Sequence, residues 1–141
     1  MSQPRTILAF DFGLRRIGVA IGQDVTGSAS PLGVVSNRDS GVDHERIAAL
    51  IREWRPTGLV VGMPAHADGS PSEIKEHVDL FIGELESYGL PVDTVDERYT
   101  SVEAERVLKN ARATGTRGRI SKEMIDSAAA VFIAERYLSS R

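Results

Sequence analysis

The run Thr6-Ile7-Leu8-Ala9-Phe10-Asp11-Phe12 constrains this chain more than any other segment, because an apolar stretch closes on a carboxylate. Such a run reads as a buried strand. Gly13-Leu14-Arg15-Arg16 then makes a tight turn into a second apolar run, Ile17 to Gly22, so two strands joined by a short turn are predicted at the outset. A lone Asp in such surroundings is costly unless it is paired or bound to a metal. Asp is also common just before a tight turn, so a plain turn-capping role stands beside the functional one.

The remaining chain alternates between helix and strand signals. Pro31 to Val35 suits a third strand, reached through the Gly- and Ser-containing loop around Thr26 to Ser30. Asp43 offers an N-cap to a helix whose Ile47, Leu50, Ile51 and Trp54 share one face, and Pro56 stops it. Gly58 to Gly62 predicts a buried strand. Ser70 with Glu73 forms a capping box, with Pro71 at the first helical position, ahead of Ile74, Val78, Phe81, Ile82 and Leu85. Gly89 suits the C-terminal end of that helix. Pro91 to Asp96 predicts a further strand. Thr100 with Glu103 repeats the capping pattern and opens a helix to about Ala111. Thr114 to Ile120 reads as a loop, and Ser121 caps a last helix with Ile125, Ala128, Ala129, Phe132 and Ile133 on its apolar face. Hairpins first and helical crossovers afterwards predict an α/β fold with a mixed five-stranded sheet flanked by helices.

A length of 141 residues, with no internal repeat and no long linker, predicts a single domain over residues 1–141. The absence of cysteine excludes disulfides, thiolate metal sites and cysteine nucleophiles. The longest apolar stretches fall well short of the ~20 residues that a spanning helix needs, and the first residues lack a signal-peptide pattern. No membrane association and a cytoplasmic location are expected. The net charge of −3 conceals an asymmetry, because Arg106, Lys109, Arg112, Arg117, Arg119 and Lys122 stand in one segment without a single acid. Such a run is either a solvated face or a phosphate-directed patch on an otherwise acidic protein.

Three acidic positions lie where a scaffold can hold them: Asp11, the pair Asp96-Glu97, and Asp126 in the early turns of the last helix. Ala128-Ala129-Ala130 would let that helix approach the sheet and bring Asp126 toward Asp11. Only one of Asp96 and Glu97 can face a given site, because successive strand side chains point to opposite faces. Asp126 also suits the positive end of a helix dipole without any further role. Converging carboxylates repel one another, and Mg²⁺ or Mn²⁺ offsets that repulsion through hard oxygen ligands. The chemistry implied is two-metal hydrolysis of a phosphodiester, with the basic segment and Arg15 and Arg16 directed at phosphates of a nucleic acid. Arg98 instead suits an ion pair with the acids.

Four motifs, in order, carry a family resemblance. They are Phe10-Asp11-Phe12-Gly13-Leu14-Arg15-Arg16-Ile17-Gly18-Val19-Ala20; Val60-Val61-Gly62-Met63-Pro64 with Asp68-Gly69-Ser70; Val95-Asp96-Glu97-Arg98-Tyr99-Thr100-Ser101; and Asp126-Ser127-Ala128-Ala129-Ala130. Across nearly its whole length the chain resembles the YqgF/RuvX family of Holliday-junction-resolvase-like proteins assigned to pre-16S rRNA cleavage. The resemblance implies an RNase H-like fold and a metal-binding catalytic cluster of Asp11, one acid of the Asp-Glu-Arg motif, and Asp126. Glu97 is the preferred second acid, because RNase H-like nucleases commonly place a glutamate at the end of that strand; Asp96 is the alternative. Arg15 stands where lysine is common in the family and Met63 where leucine is, and neither touches the carboxylates.

The expected function is therefore a metal-dependent endonuclease, a hydrolase processing the 5′ end of pre-16S rRNA in ribosome biogenesis. Arg15, Arg16, Lys109, Arg112, Arg117, Arg119 and Lys122 would bind the nucleic acid. A Holliday junction resolvase, for which a homodimer would supply paired sites, and a nucleic-acid-binding module with little turnover are the competing readings. The Asp-x-Gly start also resembles the first phosphate motif of actin-like ATPases and sugar kinases, which need two such domains. His44, His66 and His77 lack metal-pair spacing and read as surface histidines. Trp54 reads as core and Asp24 as a loop residue.

Overall fold

The computed structural model, which describes residues 5–38, 41–63, 74–96 and 122–139 but not the side chains of 38 and 122–126, starts with the anticipated hairpin. Strand β1 (Thr6–Asp11) runs antiparallel to β2 (Arg16–Gln23), with Phe10 opposite Val19 and Asp11 opposite Gly18. Strand β3 (Ser28–Arg38) continues the meander and is longer than the Pro31 to Val35 run suggested. Its pairing with β2 shifts between Val19 and Ala20, beside Pro31 and Gly33. Proline lacks the ladder N–H, and Gly33 has φ +112°, a conformation that favours glycine, so a bulge forms there.

Five strands were expected, and the described residues form a sheet of six. The extra one, β4 (Gly41–Val42), is a two-residue strand paired with Asn37 and Arg38 of β3. It was illegible because two residues carry no periodicity. Helix α1 (His44–Trp54) follows, and the Asp43 side chain accepts from the Arg46 N–H at 3.2 Å, as its N-cap position predicts. The helix ends where expected: Arg55, before Pro56, adopts a left-handed conformation and its N–H closes on the Ile51 carbonyl at 2.8 Å. Strand β5 (Gly58–Met63), helix α2 (Lys75–Glu86) and strand β6 (Val92–Asp96) complete two parallel crossovers, and Gly89 takes φ +80° after α2. The last described element is α3 (Lys122–Ser139). The sheet order is β4-β3-β2-β1-β5-β6, with β1, β5 and β6 parallel at the centre and one edge.

Strand alternation divides the core in two. Leu8, Phe10, Ile17, Val19, Leu59 and Val61 point to the face covered by Ile47 and Leu50 of α1 and by Val78, Phe81 and Leu85 of α2. Trp54 packs half-buried against that layer. Ile7, Ala9 and Val60 point to the opposite face, where α3 lays Ile133, Ala134 and Tyr137. A Cβ on Gly22 would stand 3.3 Å from that of Ala134, so α3 sits close against small residues.

The buried face of α3 differs from the predicted stripe. Ser127, Ala129, Ala130, Ile133, Ala134 and Tyr137 are buried, whereas Ala128 and Phe132 are only half-buried. Several apolar residues in a row fit more than one helical stripe, and packing against Ile7, Ala9, Gly22 and Val60 of the sheet selects this one. Among the described residues no helix is long and apolar enough to cross a membrane. The capping box at Ser70 and Glu73, the helix from Thr100 to Ala111, the loop at Thr114 to Ile120 and the cap at Ser121 lie outside the described residues.

Candidate active site at the C-terminal end of β1

Asp11 is the last residue of the central strand β1 and is half-buried. Ile7 and Ala9 face α3, so strand alternation places Asp11 on the α3 side as well. Phe10 pairs with Val61 and Val61 with Thr94, so Asp11 is one residue beyond that row, level with Gly62 and Val95. Two strand spacings, on the order of 10 Å, separate its backbone from the end of β6.

The same alternation bears on the second acid. Val95 packs with the α3 layer and Asp93 accepts from Tyr137 of α3, which puts Asp96 on the other face of the sheet. Asp96 therefore does not share a face with Asp11, and its carbonyl accepts from the Arg136 guanidinium. Glu97 lies outside the described residues.

Position 126 is in the described part of α3, one and two turns before the buried Ala130 and Ile133, and so on the sheet-facing stripe. Its neighbour Ser127 donates to the Gly33 carbonyl at 3.0 Å. Gly33 pairs with Val19 and Val19 with Phe10, so the beginning of α3 crosses the sheet at the row next to Asp11. The Asp126 side chain is outside what the structure describes. Among the described residues no three His, Asp or Glu side chains form a group able to hold a metal ion.

The turn after Asp11 is closely specified. A Cβ on Gly13 would meet the Arg16 carbonyl oxygen at 2.5 Å, so this position requires glycine. Asn37, which gave no signal in the sequence, donates from its amide to the Gly13 carbonyl at 2.7 Å and from its backbone N–H to the Arg15 carbonyl at 2.9 Å. Only a β3 longer than the apolar run could have pointed to it. Arg15 is exposed and Arg16 half-buried. Lys109, Arg112, Arg117 and Arg119 lie outside the described residues, and Lys122 is described by its backbone alone as the first residue of α3.

Other polar groups serve packing. His44 holds Tyr88 through Nδ1 at 2.7 Å and Glu84 through Nε2 at 2.5 Å, linking α1 to the end of α2. Burial, and then the Glu84 charge, push the Tyr88 hydroxyl above its usual pKa of 10.0. His77 is exposed, as expected, and His66 lies outside the described residues. A cavity of about 400 Å³ opens between Asp24 and Gly27 at the β2–β3 turn and Phe132, Glu135 and Arg136 of α3.

With this geometry in view, the model of the RuvX family, described as "Holliday junction resolvase", matches residues 5–140. The chain belongs to the RuvX family. It is 43% identical over its whole length to a protein of Azotobacter vinelandii named "Putative pre-16S rRNA nuclease", of which the match covers 98%. It is 46% identical over 94% of its length to a Burkholderia lata protein of the same name, of which 88% is covered. Among solved structures, RuvC of T. thermophilus in complex with a Holliday junction substrate superposes with TM-score 0.59 at 13% identity, covering 97% of this chain and 95% of that one. The Fowlpox virus resolvase with Holliday junction DNA superposes at 0.57 and 11% identity, covering 96% and 97%. At those identities the likeness establishes the fold, that of the RNase H-like resolvases. RuvX family membership carries the nuclease class, a hydrolase acting on phosphodiester bonds.

Proposed function

We propose that this RuvX-family chain is a metal-dependent endonuclease that processes the 5′ end of pre-16S rRNA. The observation behind the chemistry is the placement of Asp11: a half-buried carboxylate ending the central strand, on the face that α3 covers, before a turn with no room for a side chain at position 13. Similarity to the Azotobacter and Burkholderia proteins supports the substrate.

Asp11 offers hard oxygen donors, which suit Mg²⁺ or Mn²⁺, and the chain contains no thiolate to favour a softer ion. Asp11, Glu97 and Asp126 would hold the ions. Glu97 is the better second acid, since Asp96 lies on the other face of the sheet from Asp11. When bound, the ions supply an activated water and charge stabilisation for the leaving oxygen. Asp11 stands at the end of the central strand, and Arg15, Arg16 and the basic positions Lys109, Arg112, Arg117, Arg119 and Lys122 would hold the nucleic-acid backbone. Cytoplasmic action follows from a substrate that is an rRNA precursor. Cutting one RNA strand needs one site, whereas resolving a junction would ask for a homodimer.

The deciding experiment is cleavage of an end-labelled pre-16S rRNA fragment and a four-way DNA junction, with Mn²⁺, Mg²⁺ or EDTA, by wild type and Asp11→Asn. Metal-dependent cutting of the RNA that disappears in the variant is expected. Cutting of the junction alone would transfer the assignment to a resolvase. Absence of cutting with equal binding by both proteins would make the chain a binding module.

A further inference from the structure

We propose that Asn37 is a positioning residue for this site, acting through the turn that follows Asp11; the proposal rests on the nuclease reading above. The last β2–β3 pair joins Arg16 to Ser36, so Asn37 begins just where the ladder ends and the turn needs other support. It donates to two carbonyls of the turn, from Nδ2 to Gly13 at 2.7 Å and from the backbone N–H to Arg15 at 2.9 Å. From the inside, the Arg16 carbonyl occupies the space of a Cβ at position 13. Two hydrogen bonds from Asn37 thus fix the turn between Asp11 and Arg16, while Leu14, 59% exposed, and Arg15 project outward.

Asn37 is itself held. It pairs with Val42 across the β3–β4 hairpin, and the Asp43 N–H donates to the Ser36 carbonyl at 3.0 Å before Asp43 caps α1. The clamp therefore fixes the spacing between the Asp11 carboxylate and the phosphate-directed Arg15 against the paired ends of β3 and β4. Asparagine suits the task because its short side chain ends in an N–H donor. Aspartate has the same shape and, when ionised, no hydrogen to offer to the Gly13 carbonyl.

The test compares wild type with Asn37→Ala and Asn37→Asp, using whichever of the rRNA fragment or the junction the wild type cuts, and Asp11→Asn as the control for the nuclease reading. Displacing a reacting group by about 1 Å costs on the order of 10²-fold in rate. Asn37→Ala should lower kcat by roughly 10- to 100-fold with little change in KM. Asn37→Asp should lose as much at pH 8, and its kcat relative to wild type should recover as pH falls into the carboxyl range, where the protonated acid again donates. Hydrogen exchange over residues 12–16 should quicken in both variants. A kcat within about twofold of wild type, or a relative kcat that stays flat with pH, overturns the proposal. If the wild type cuts neither substrate, or Asp11→Asn cuts equally well, the nuclease reading fails. Exchange at 12–16 then decides the clamp alone, with faster exchange upholding it and unchanged exchange rejecting it.

Discussion

The Tyr137 hydroxyl donates to Asp93 Oδ2 at 2.7 Å, tying the last helix to the edge strand β6 across the face on which Asp11 lies. The Arg5 guanidinium approaches the same hydroxyl at 3.4 Å. Burial first, and then the hydrogen bond and charge of Asp93, hold the Tyr137 pKa above 10.0, with Arg5 offsetting part of the rise. A phenol whose pKa is raised on folding contributes stability that is present below its unfolded pKa and lost as pH rises through the folded one. Tyr137→Phe should cost about 1 kcal/mol at neutral pH. Above about pH 10 the variant should lose less stability than wild type. Urea unfolding between pH 7 and 11 checks this, and an equal alkaline decline in both proteins would count against it.

Gly13→Ala should destabilise by about 1–3 kcal/mol, because the new Cβ meets a backbone oxygen rather than a side chain that can turn away. The carbonyl of Arg16 at 2.5 Å can yield only if the turn opens. Thermal unfolding should show a midpoint lower by several degrees, and cleavage should fall further than the loss of folded protein explains. An unchanged midpoint would contradict the turn geometry.

Phe81 is buried under the opposite face, edge-on to Phe10 with ring centroids 5.6 Å apart and 5.2 Å from Phe12. Phe81→Ala should cost about 3–5 kcal/mol through reduced burial and the cavity left behind. Phe81→Leu should cost less than half of that. Because Phe10 and Phe12 flank Asp11, the alanine variant should also lower cleavage at temperatures where it remains folded. Chemical denaturation of both variants, with activity measured in parallel, tests the pair.

Replacing Arg117 and Arg119 together by alanine should weaken nucleic-acid binding and flatten its salt dependence by roughly 0.7–0.9 in slope for each phosphate that is no longer neutralised. Fluorescence anisotropy across a salt series in EDTA, which separates binding from cutting, gives the slope directly. A slope equal to that of wild type would remove this segment from the binding surface.

Much of the fold was legible in local chemistry. The apolar runs marked β1, β2 and β5, and Asp43, Pro56 and Gly89 marked helix ends, because caps and breakers act over one or two residues. Asp11 was legible as a candidate because a carboxylate inside an apolar strand calls for a reason. The two-residue β4 and the clamp by Asn37 were not, since pairing partners many residues away leave no periodic trace in the chain.

The α/β order, the family and the identity of the candidate acids could all be read from the chain, because hydrophobic period, turn residues and motif spacing are properties of the chain alone. Which side of the sheet each strand-end acid faces could not. Strand register put Asp11 on the α3 side and Asp96 on the other. Packing of α3 against the small residues of the sheet selected the stripe of Ala130, Ile133, Ala134 and Tyr137 over the one that the sequence favoured. Both outcomes depend on the meeting of segments distant in sequence, and close packing rather than local propensity chooses among them.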